Sequence, residues 1–376
     1  ESDHSMQFEI DPAACRGRQQ RLQAEMRRRD LDLVIVARTE HVQWLVGPRF
    51  GWVFEPSAAL SRDGVATLIA PNAAPPIHAA DVVATYEAQW HSTLRNDQRH
   101  AACDALKKAV APLSTVKRVG VEFSCFPPHL AQGLDAELVD IEPTMLRLRR
   151  RKDADELARI KHAIGATGAM YAEARRIIRP GLSELQMFNA LQAAAVEHLG
   201  EMLTGTGNDY ASGVPGGPPR PRAIEAGELY VLDLGPAFRG YFADNCRAIA
   251  VDGRPTERQQ ALQRHIADVF PMVEETVKPG VSCRTLFHRV QRHLDAFDPN
   301  LKFSHHLGHG IGLFPHEAPH LNPSPDWDDV FEVGDVFTCE PGLYHPDLRG
   351  GIRLENDYLV TEAGVELLSP FSLELT

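Results

Sequence analysis

The sequence is short of several things, and each shortage removes an explanation. Six cysteines are scattered over 376 residues with no CxxC pair, so no disulfide framework is in prospect. No window approaches the roughly 18 uninterrupted apolar residues of a membrane span. Basic residues are in deficit, 39 Lys and Arg against 51 Asp and Glu. The resulting charge of −12, with no compensating basic face, argues against a nucleic-acid partner. The basic runs "MRRRD" (26–30) and "RLRRRKD" (147–153) are short and read as solvated helix ends. The opening "ESDHSM" lacks the basic and apolar regions of a signal peptide and reads as a tag remnant ahead of Met6. A reducing cytoplasm is the expected compartment.

What is present is ordinary in bulk: 43% hydrophobic and 24% charged residues, enough for a sizeable core. The length fits two domains. The first, 1–145, alternates. A helix over 11–29 precedes a buried strand at 31–37, then two strands within 58–71 joined by an Asp-Gly turn. Strands at 81–86 and 116–123 flank a helix near 97–112, a mixed α/β pattern. The second domain, 146–376, opens on a long helix expected over 146–178, followed by another at 183–198. "GVPGGPPRPR" (213–222) is too rich in Pro and Gly for regular structure. Strands are expected at 228–235 and 241–251, helices at 255–277 and 282–296, then strands in "DVFTCEPGLY" and "GGIRLENDYLVT".

Chemistry concentrates late in the chain. "FSHHLGHGIGLFPHEAPH" (303–320) gathers His305, His306, His309, His316 and His320 around three glycines. Four acids sit in strand-like apolar surroundings: Asp233 in "YVLDLG", Asp244 in "YFADNCR", Glu340 after "VFTC" and Glu355 in "IRLEND". Buried carboxylates need neutralising. Arg247 and Arg353 are near enough in sequence to serve two of them, and the rest call for cations. Carboxylates with one imidazole form a hard, mixed ligand set suited to Mn²⁺, Co²⁺, Fe²⁺ or Zn²⁺.

The blocks "DLG" plus "ADNCR", "HHLGHGIGL..HEAP", "EPGLY" and "GIRLEND" resemble, in order, those of the creatinase/prolidase/methionine-aminopeptidase metallohydrolases, the pita-bread or M24-type family. The region before them is similar to the N-terminal domain of its Xaa-Pro branch. This resemblance implies an α+β chain, a pita-bread catalytic domain preceded by a smaller α/β creatinase-type domain. It implies two divalent ions, manganese foremost, held by Asp233, Asp244, His309, Glu340 and Glu355, with Asp244 and Glu355 bridging. A hydroxide between the ions would attack the carbonyl before a proline, and Glu340 would relay the proton. His305 and His316 match the family's substrate-facing imidazoles, Arg353 would orient an aspartate or the substrate, and His306 reads as a structural or surface histidine. A homodimer is implied, with the segment 47–56, carrying Arg49 and Trp52, reaching over the partner's site.

Three departures bear on the substrate. The loop before Asp233 lacks the histidine usual in Xaa-Pro enzymes and offers Arg220 and Arg222 instead. His320 stands where many dipeptidases carry an arginine, and Cys246 where threonine is usual. The resemblance implies a small peptide as the substrate, and the altered loop keeps other chemistry open. The alternatives are a small anionic molecule, hydrolysed at a C–N bond as in creatine or ectoine or cleaved by elimination, and a non-catalytic binding module.

Overall fold

The computed structural model describes residues 8–51, 53–110 and 113–376, so Trp52 lies outside the described residues. The chain divides into two compact units, Glu1–Arg149 and Arg150–Thr376.

In the first unit, helix α1 (Pro12–Arg28) begins where Asp11 caps it. The Asp11 carboxylate accepts from the amides of Ala13 and Ala14 at 2.8 and 3.3 Å, and Pro12 occupies a position that needs no amide hydrogen. Strand β1 (Leu33–Val36) is apolar throughout and buried throughout, the mark of a central strand. A short helix α2 (Thr39–Val46) follows it. The sheet adds β2 (Ser57–Ser61), β3 (Ala66–Pro71), β4 (Val82–Tyr86), β5 (Arg118–Val121) and β6 (Glu137–Asp140), in the order β4-β3-β2-β1-β5-β6. It is mixed: β1–β2 and β2–β3 run antiparallel, and the other neighbours run parallel. Helix α3 (Gln98–Ala109) supplies Ala102 and Leu106 to a core shared with Leu33, Ile35, Ile69 and Val121. The last helix of this unit is α4 (Glu142–Arg149).

One polar cluster is buried inside this unit. Arg149 Nη1 lies 3.0 Å from His41 Nε2, and the His41 Nδ1 contacts Glu122 Oε1. A guanidinium only donates, so His41 Nε2 must accept and Nδ1 carries the hydrogen that goes to Glu122. His41 is neutral by this logic.

The helix expected over 146–178 is in fact two, α4 and α5 (Ala154–Ile177). Asp153 and Glu156 form a reciprocal capping box that starts the second helix afresh. The basic run there is only partly solvated: Arg147 and Arg151 are exposed, but Arg149, Arg150 and Lys152 are buried. Arg150 holds Asp335 through Nε at 3.0 Å and Nη2 at 2.7 Å, and Lys152 is buried 3.8 Å from Glu317. The helix expected over 255–277 also divides, into α7 (Glu257–Ala267) and α8 (Val269–Thr276), with α6 (Glu184–Leu199) preceding both. Pro271 is the reason: its ring would clash with the carbonyl of Ala267, whereas in the first turn of a new helix it is harmless. Helix α9 (Cys283–Asp295) completes the set that covers the strands.

Strands β7 (Asn208–Asp209), β8 (Leu229–Leu234) and β9 (Asn245–Ala250) form one sheet of this unit, with β8 central and both pairings antiparallel. A second sheet contains β10 (Gly308–Gly310), β11 (Glu317–Leu321), β12 (Val336–Cys339), β15 (Asn356–Val360) and β16 (Val365–Leu367), in the order β11-β10-β12-β15-β16. Between β12 and β15 in sequence, β13 (Gly342–His345) and β14 (Gly350–Arg353) pair as a ribbon. Leu262, Ile266, Phe270, Phe287 and Val290 from the helices pack with Leu343, Ile352 and Tyr358 from the strands, which gives the second unit its main core.

Candidate metal centre

Of the four acids expected on or beside strands, one lies within a strand and three at strand ends; Asp244, expected inside a strand, is one of the three. Asp233 lies within β8, opposite Cys246 of β9. Asp244 immediately precedes β9, Glu340 follows β12, and Glu355 falls between β14 and β15. Strand ends suit ligands, because the side chain leaves the packed face while the backbone remains tied. The amide of Glu340 donates to the carbonyl of Leu307 at 2.7 Å, and that of Glu355 to the carbonyl of Cys246 at 3.0 Å.

His309 is the middle residue of β10, flanked by glycines for a steric reason. A Cβ on Gly308 would lie 2.0 Å from the carbonyl oxygen of Thr338, and one on Gly310 would lie 2.1 Å from that of Ala318. Only glycine lets the strand close in on both sides, and a register shift after His309 marks a bulge there. His309 Nδ1 is 3.0 Å from the carbonyl of Gly310. A carbonyl accepts, so Nδ1 holds the hydrogen, and in the neutral ring Nε2 presents a bare lone pair. That lone pair faces Asp244 Oδ2 and Glu340 Oε1, both at 3.5 Å. A lone pair aimed at two carboxylates is unfavourable unless a cation lies among them.

The carboxylates repeat the message. Asp233, Asp244, Glu340 and Glu355 are each no more than 7% exposed. Burial, then the charges of Asp233 and Glu340, push the Asp244 carboxyl well above its usual range. Burial with the charges of Asp244 and Asp233 does the same to Glu355. Burial would raise Glu340 too, but the surrounding imidazoles of His309 and His306 and the Arg353 guanidinium pull it below its usual range. Glu355 Oε2 is buried with no hydrogen-bond partner among the described residues. One donor atom each of His309, Glu340 and Glu355 fall within 4.8 Å of one another. The residues fit divalent cations. A carboxylate-rich set with one imidazole, a free lone pair and an orphaned oxygen is what such ions require.

Around the acids runs a chain of fixed hydrogen bonds. Arg353 donates to Asp233 Oδ2 through Nε at 3.0 Å and Nη2 at 2.8 Å, and Nη2 also reaches Asp209. Its Nη1 donates to the Tyr344 hydroxyl at 3.0 Å, which donates in turn to His305 Nε2 at 2.9 Å. His305 Nδ1 donates to the carbonyl of His306 at 2.7 Å. Both nitrogens of His305 are therefore occupied.

His316 differs. It is exposed, stacks on His309 with ring centroids 3.7 Å apart, and burial together with the neighbouring histidines lowers it to about 4. At neutral pH it is an uncharged donor. His305, His309, His316, Arg353, Glu340 and the aspartates line an open cavity of about 400 Å³, to which no apolar side chain among the described residues contributes.

The remaining expected substrate contacts are not brought there. Arg220 donates to Glu184 through Nε at 2.9 Å and Nη2 at 2.6 Å, and Arg222 donates to Glu228 at 2.7 Å. Glu184 is fully buried, so these arginines neutralise a carboxylate and brace the loop. His320 Nδ1 is 2.9 Å from Asp329 Oδ2. None of the three lines the cavity. Three residues that do belong to the site were not expected. Tyr344 stands in "EPGLY" and was legible as a hydroxyl near a ligand. Asp209 joins only because β7 pairs with β8, setting Asp209 opposite Asp233. His306, read as structural, lines the cavity with Nε2 3.2 Å from Glu340 Oε1.

Comparison with known proteins decides the family. Residues 158–362 match the model of metallopeptidase family M24. The chain belongs to metallopeptidase family M24. Residues 18–151 match the creatinase/prolidase N-terminal domain, as in a two-part peptidase of this family. This M24 chain is 28% identical to the uncharacterized peptidase YqhT of Bacillus subtilis over 270 residues, 69% of this chain and 75% of that protein. It is 28% identical to an uncharacterized peptidase of Staphylococcus aureus strain USA300 over 237 residues, 62% of this chain and 66% of that protein. In fold it resembles an Xaa-Pro dipeptidase from Bacillus anthracis (TM-score 0.80, 24% identity, 96% of this chain and 99% of that chain). It also resembles the prolidase from Pyrococcus horikoshii OT3 (TM-score 0.78, 22% identity, 96% and 100%).

Proposed function

We propose that this M24 chain is a dinuclear metallopeptidase that hydrolyses the bond before proline, acting as an aminopeptidase on short peptides. The observation that carries the metal is the bare Nε2 of His309 facing two buried carboxylates. Asp233, Asp244, His309, Glu340 and Glu355 would hold two ions, and the oxygen-rich donor set favours Mn²⁺. When bound, such ions supply Lewis acidity and a water of lowered pKa.

The protein's own groups do the rest. Glu340, ionised and open to the cavity, accepts the proton of the attacking water and passes it to the leaving nitrogen. His316 donates a hydrogen bond to the carbonyl oxygen as negative charge builds there. Arg353 holds Asp233 in a fixed orientation through two bonds, and Tyr344 passes that rigidity to His305.

The preference for longer peptides follows from what the cavity lacks. Among the described residues Arg353 is the only arginine lining it, and two aspartates already engage it. Arg220, Arg222 and His320 are paired elsewhere. A free dipeptide carboxylate thus finds no anchor, and a small anionic substrate would suffer the same want. A positioned hydrogen bond is worth about 1–3 kcal/mol, roughly tenfold to a hundredfold in rate. With Mn²⁺ supplied, Ala-Pro-Ala should therefore be cleaved at roughly tenfold or more the kcat/KM of Ala-Pro. A clear preference for the dipeptide, or inertness toward both with metal bound, overturns this reading.

A further inference from the structure

A second group of ligand-type side chains lies where the ends of three helices meet, on residues that take no part in the metal centre. His265 stands in the last turn of α7, Asp268 joins α7 to α8, and His293 stands in the last turn of α9. The two rings are stacked, with centroids 4.0 Å apart and planes 14° apart. They are also tied crosswise. His265 Nε2 lies 2.8 Å from the carbonyl of His293, and His293 Nε2 lies 2.8 Å from the carbonyl of His265. A carbonyl only accepts, so each Nε2 carries its ring's hydrogen. Two imidazolium charges this close would repel, which favours neutral rings, and each neutral ring keeps its lone pair on Nδ1. Those lone pairs are unspent. Among the described residues neither Nδ1 accepts a hydrogen bond, and the Asp268 side chain caps neither helix. One donor atom each of His265, Asp268 and His293 fall within 4.8 Å of one another.

We propose that His265, His293 and Asp268 form a peripheral site for a borderline divalent ion, zinc foremost, separate from the metal centre. The ligand types choose the ion. Two imidazoles with one carboxylate suit Zn²⁺, Cu²⁺ or Ni²⁺, whereas the oxygen-rich centre favours Mn²⁺. Placement adds to this, because both histidines sit at helix C-termini, where the helix dipoles favour positive charge. The crossed hydrogen bonds hold both rings before any ion arrives, and Phe297 packs against His265 with centroids 5.1 Å apart. Tetrahedral zinc with bonds of about 2.0–2.1 Å sets its ligand atoms roughly 3.4 Å apart. Asp268 is exposed, three positions after His265 on the same helical face, and its side-chain torsions can close the remaining gap. Three protein ligands leave a fourth position to water. The bound ion would staple α7 to α9. None of this depends on the peptidase reading.

The test counts Zn²⁺ by equilibrium dialysis in the full chain, His293→Gln, Asp268→Asn and His309→Ala, with each zinc-free thermal midpoint recorded. Gln keeps an N–H for the carbonyl of His265 but lacks the Nδ1 lone pair. The full chain should hold one zinc equivalent more than His293→Gln. Asp268→Asn should bind that equivalent at least about 10-fold more weakly, since changes outside a ligand set already cost that much. Its zinc-free midpoint should stay near that of the full chain, because the side chain is exposed, so it decides the matter if His293→Gln misfolds. Zinc content and affinity in Asp268→Asn equal to those of the full chain overturn the site. His309→Ala should keep the extra equivalent, and its loss there would overturn a separate site. A full chain that binds no Zn²⁺ overturns this proposal and the metal centre together, whereas zinc lost only in His309→Ala overturns this one and leaves the metal centre standing.

Discussion

A single ring nitrogen shows how residue-scale chemistry directs the site. Because the Gly310 carbonyl takes the His309 Nδ1 hydrogen, Nε2 of the neutral ring offers a lone pair, and two buried acids face it. Asp244 shares this conflict with Glu340, both 3.5 Å from Nε2, and is buried and crowded by Asp233 and Glu340. Asp244→Asn keeps the shape and removes the charge. The variant should lose at least one equivalent of Mn²⁺ by metal analysis and nearly all turnover, since partner changes around a metal already cost about 10- to 100-fold and a ligand loss exceeds that. Full metal content with unchanged turnover would refute the assignment. At this scale the types of the residues were legible early: acids in apolar runs and a histidine between glycines are visible in any reading. Their partners were not. Nothing in "PPRPRA" says that Arg220 is locked on Glu184, because the two are 36 positions apart and meet through folding.

At the scale of elements, β10 is three residues long and holds its place by closeness rather than by side-chain packing. Adding one methyl group at Gly310 drives it against a backbone carbonyl of the neighbouring segment, which has no torsion with which to step aside. Overpacking of this kind typically costs about 1–3 kcal/mol and sometimes more. Gly310→Ala should lower the denaturation midpoint accordingly and displace His309, so that Mn²⁺ binding falls with it. A variant with parental midpoint and metal content would show that the strand has room. Elements also expose what pattern reading misses. A run of helix formers from 146 to 178 concealed a boundary, because propensity sums smoothly across Asp153 while its capping box with Glu156 is a local event. Pro271 carried the corresponding signal for the second divided helix and could have been used.

At the scale of the molecule, the first unit has a pH dependence of its own. Burial keeps the His41 imidazolium pKa below its ordinary value, while the hydrogen bond to Glu122 only partly offsets it. The unfolded chain therefore takes up a proton as pH falls through about 6.5, and the folded chain does not. For Glu122, burial would raise the carboxyl, but the bonds from His41 and Ala37 hold it below the ordinary range. Its contribution is present above about 4.3 and is lost as pH falls further, toward its lower folded value. Both groups act in one direction, and stability should decline on acidification at up to about 1.4 kcal/mol per pH unit per group. Amides of Ala37 and Arg38, which donate to Glu122 Oε2 at 2.7 and 3.0 Å, offer a local probe. Their exchange protection, corrected for intrinsic rate, should fall from pH 7 to pH 5. His41→Gln, which can still accept from Arg149 and donate to Glu122, should flatten that slope. A parent chain with flat protection over this range would contradict the neutral, buried assignment of His41.

The sequence by itself determined which side chains could carry chemistry and in what order they appear. A buried acid, a glycine-flanked histidine and an alternation of strands and helices are local properties, written in composition and spacing. Only the tertiary structure decided which charge each cation meets. Arg353 spans 120 positions to reach Asp233 and 144 to reach Asp209, Arg222 was drawn to Glu228 instead of the cavity, and His306 was turned toward Glu340. The physical reason is that hydrogen bonds and ion pairs act over a few ångströms of space, and the distance along the chain that separates their partners leaves no periodicity to read.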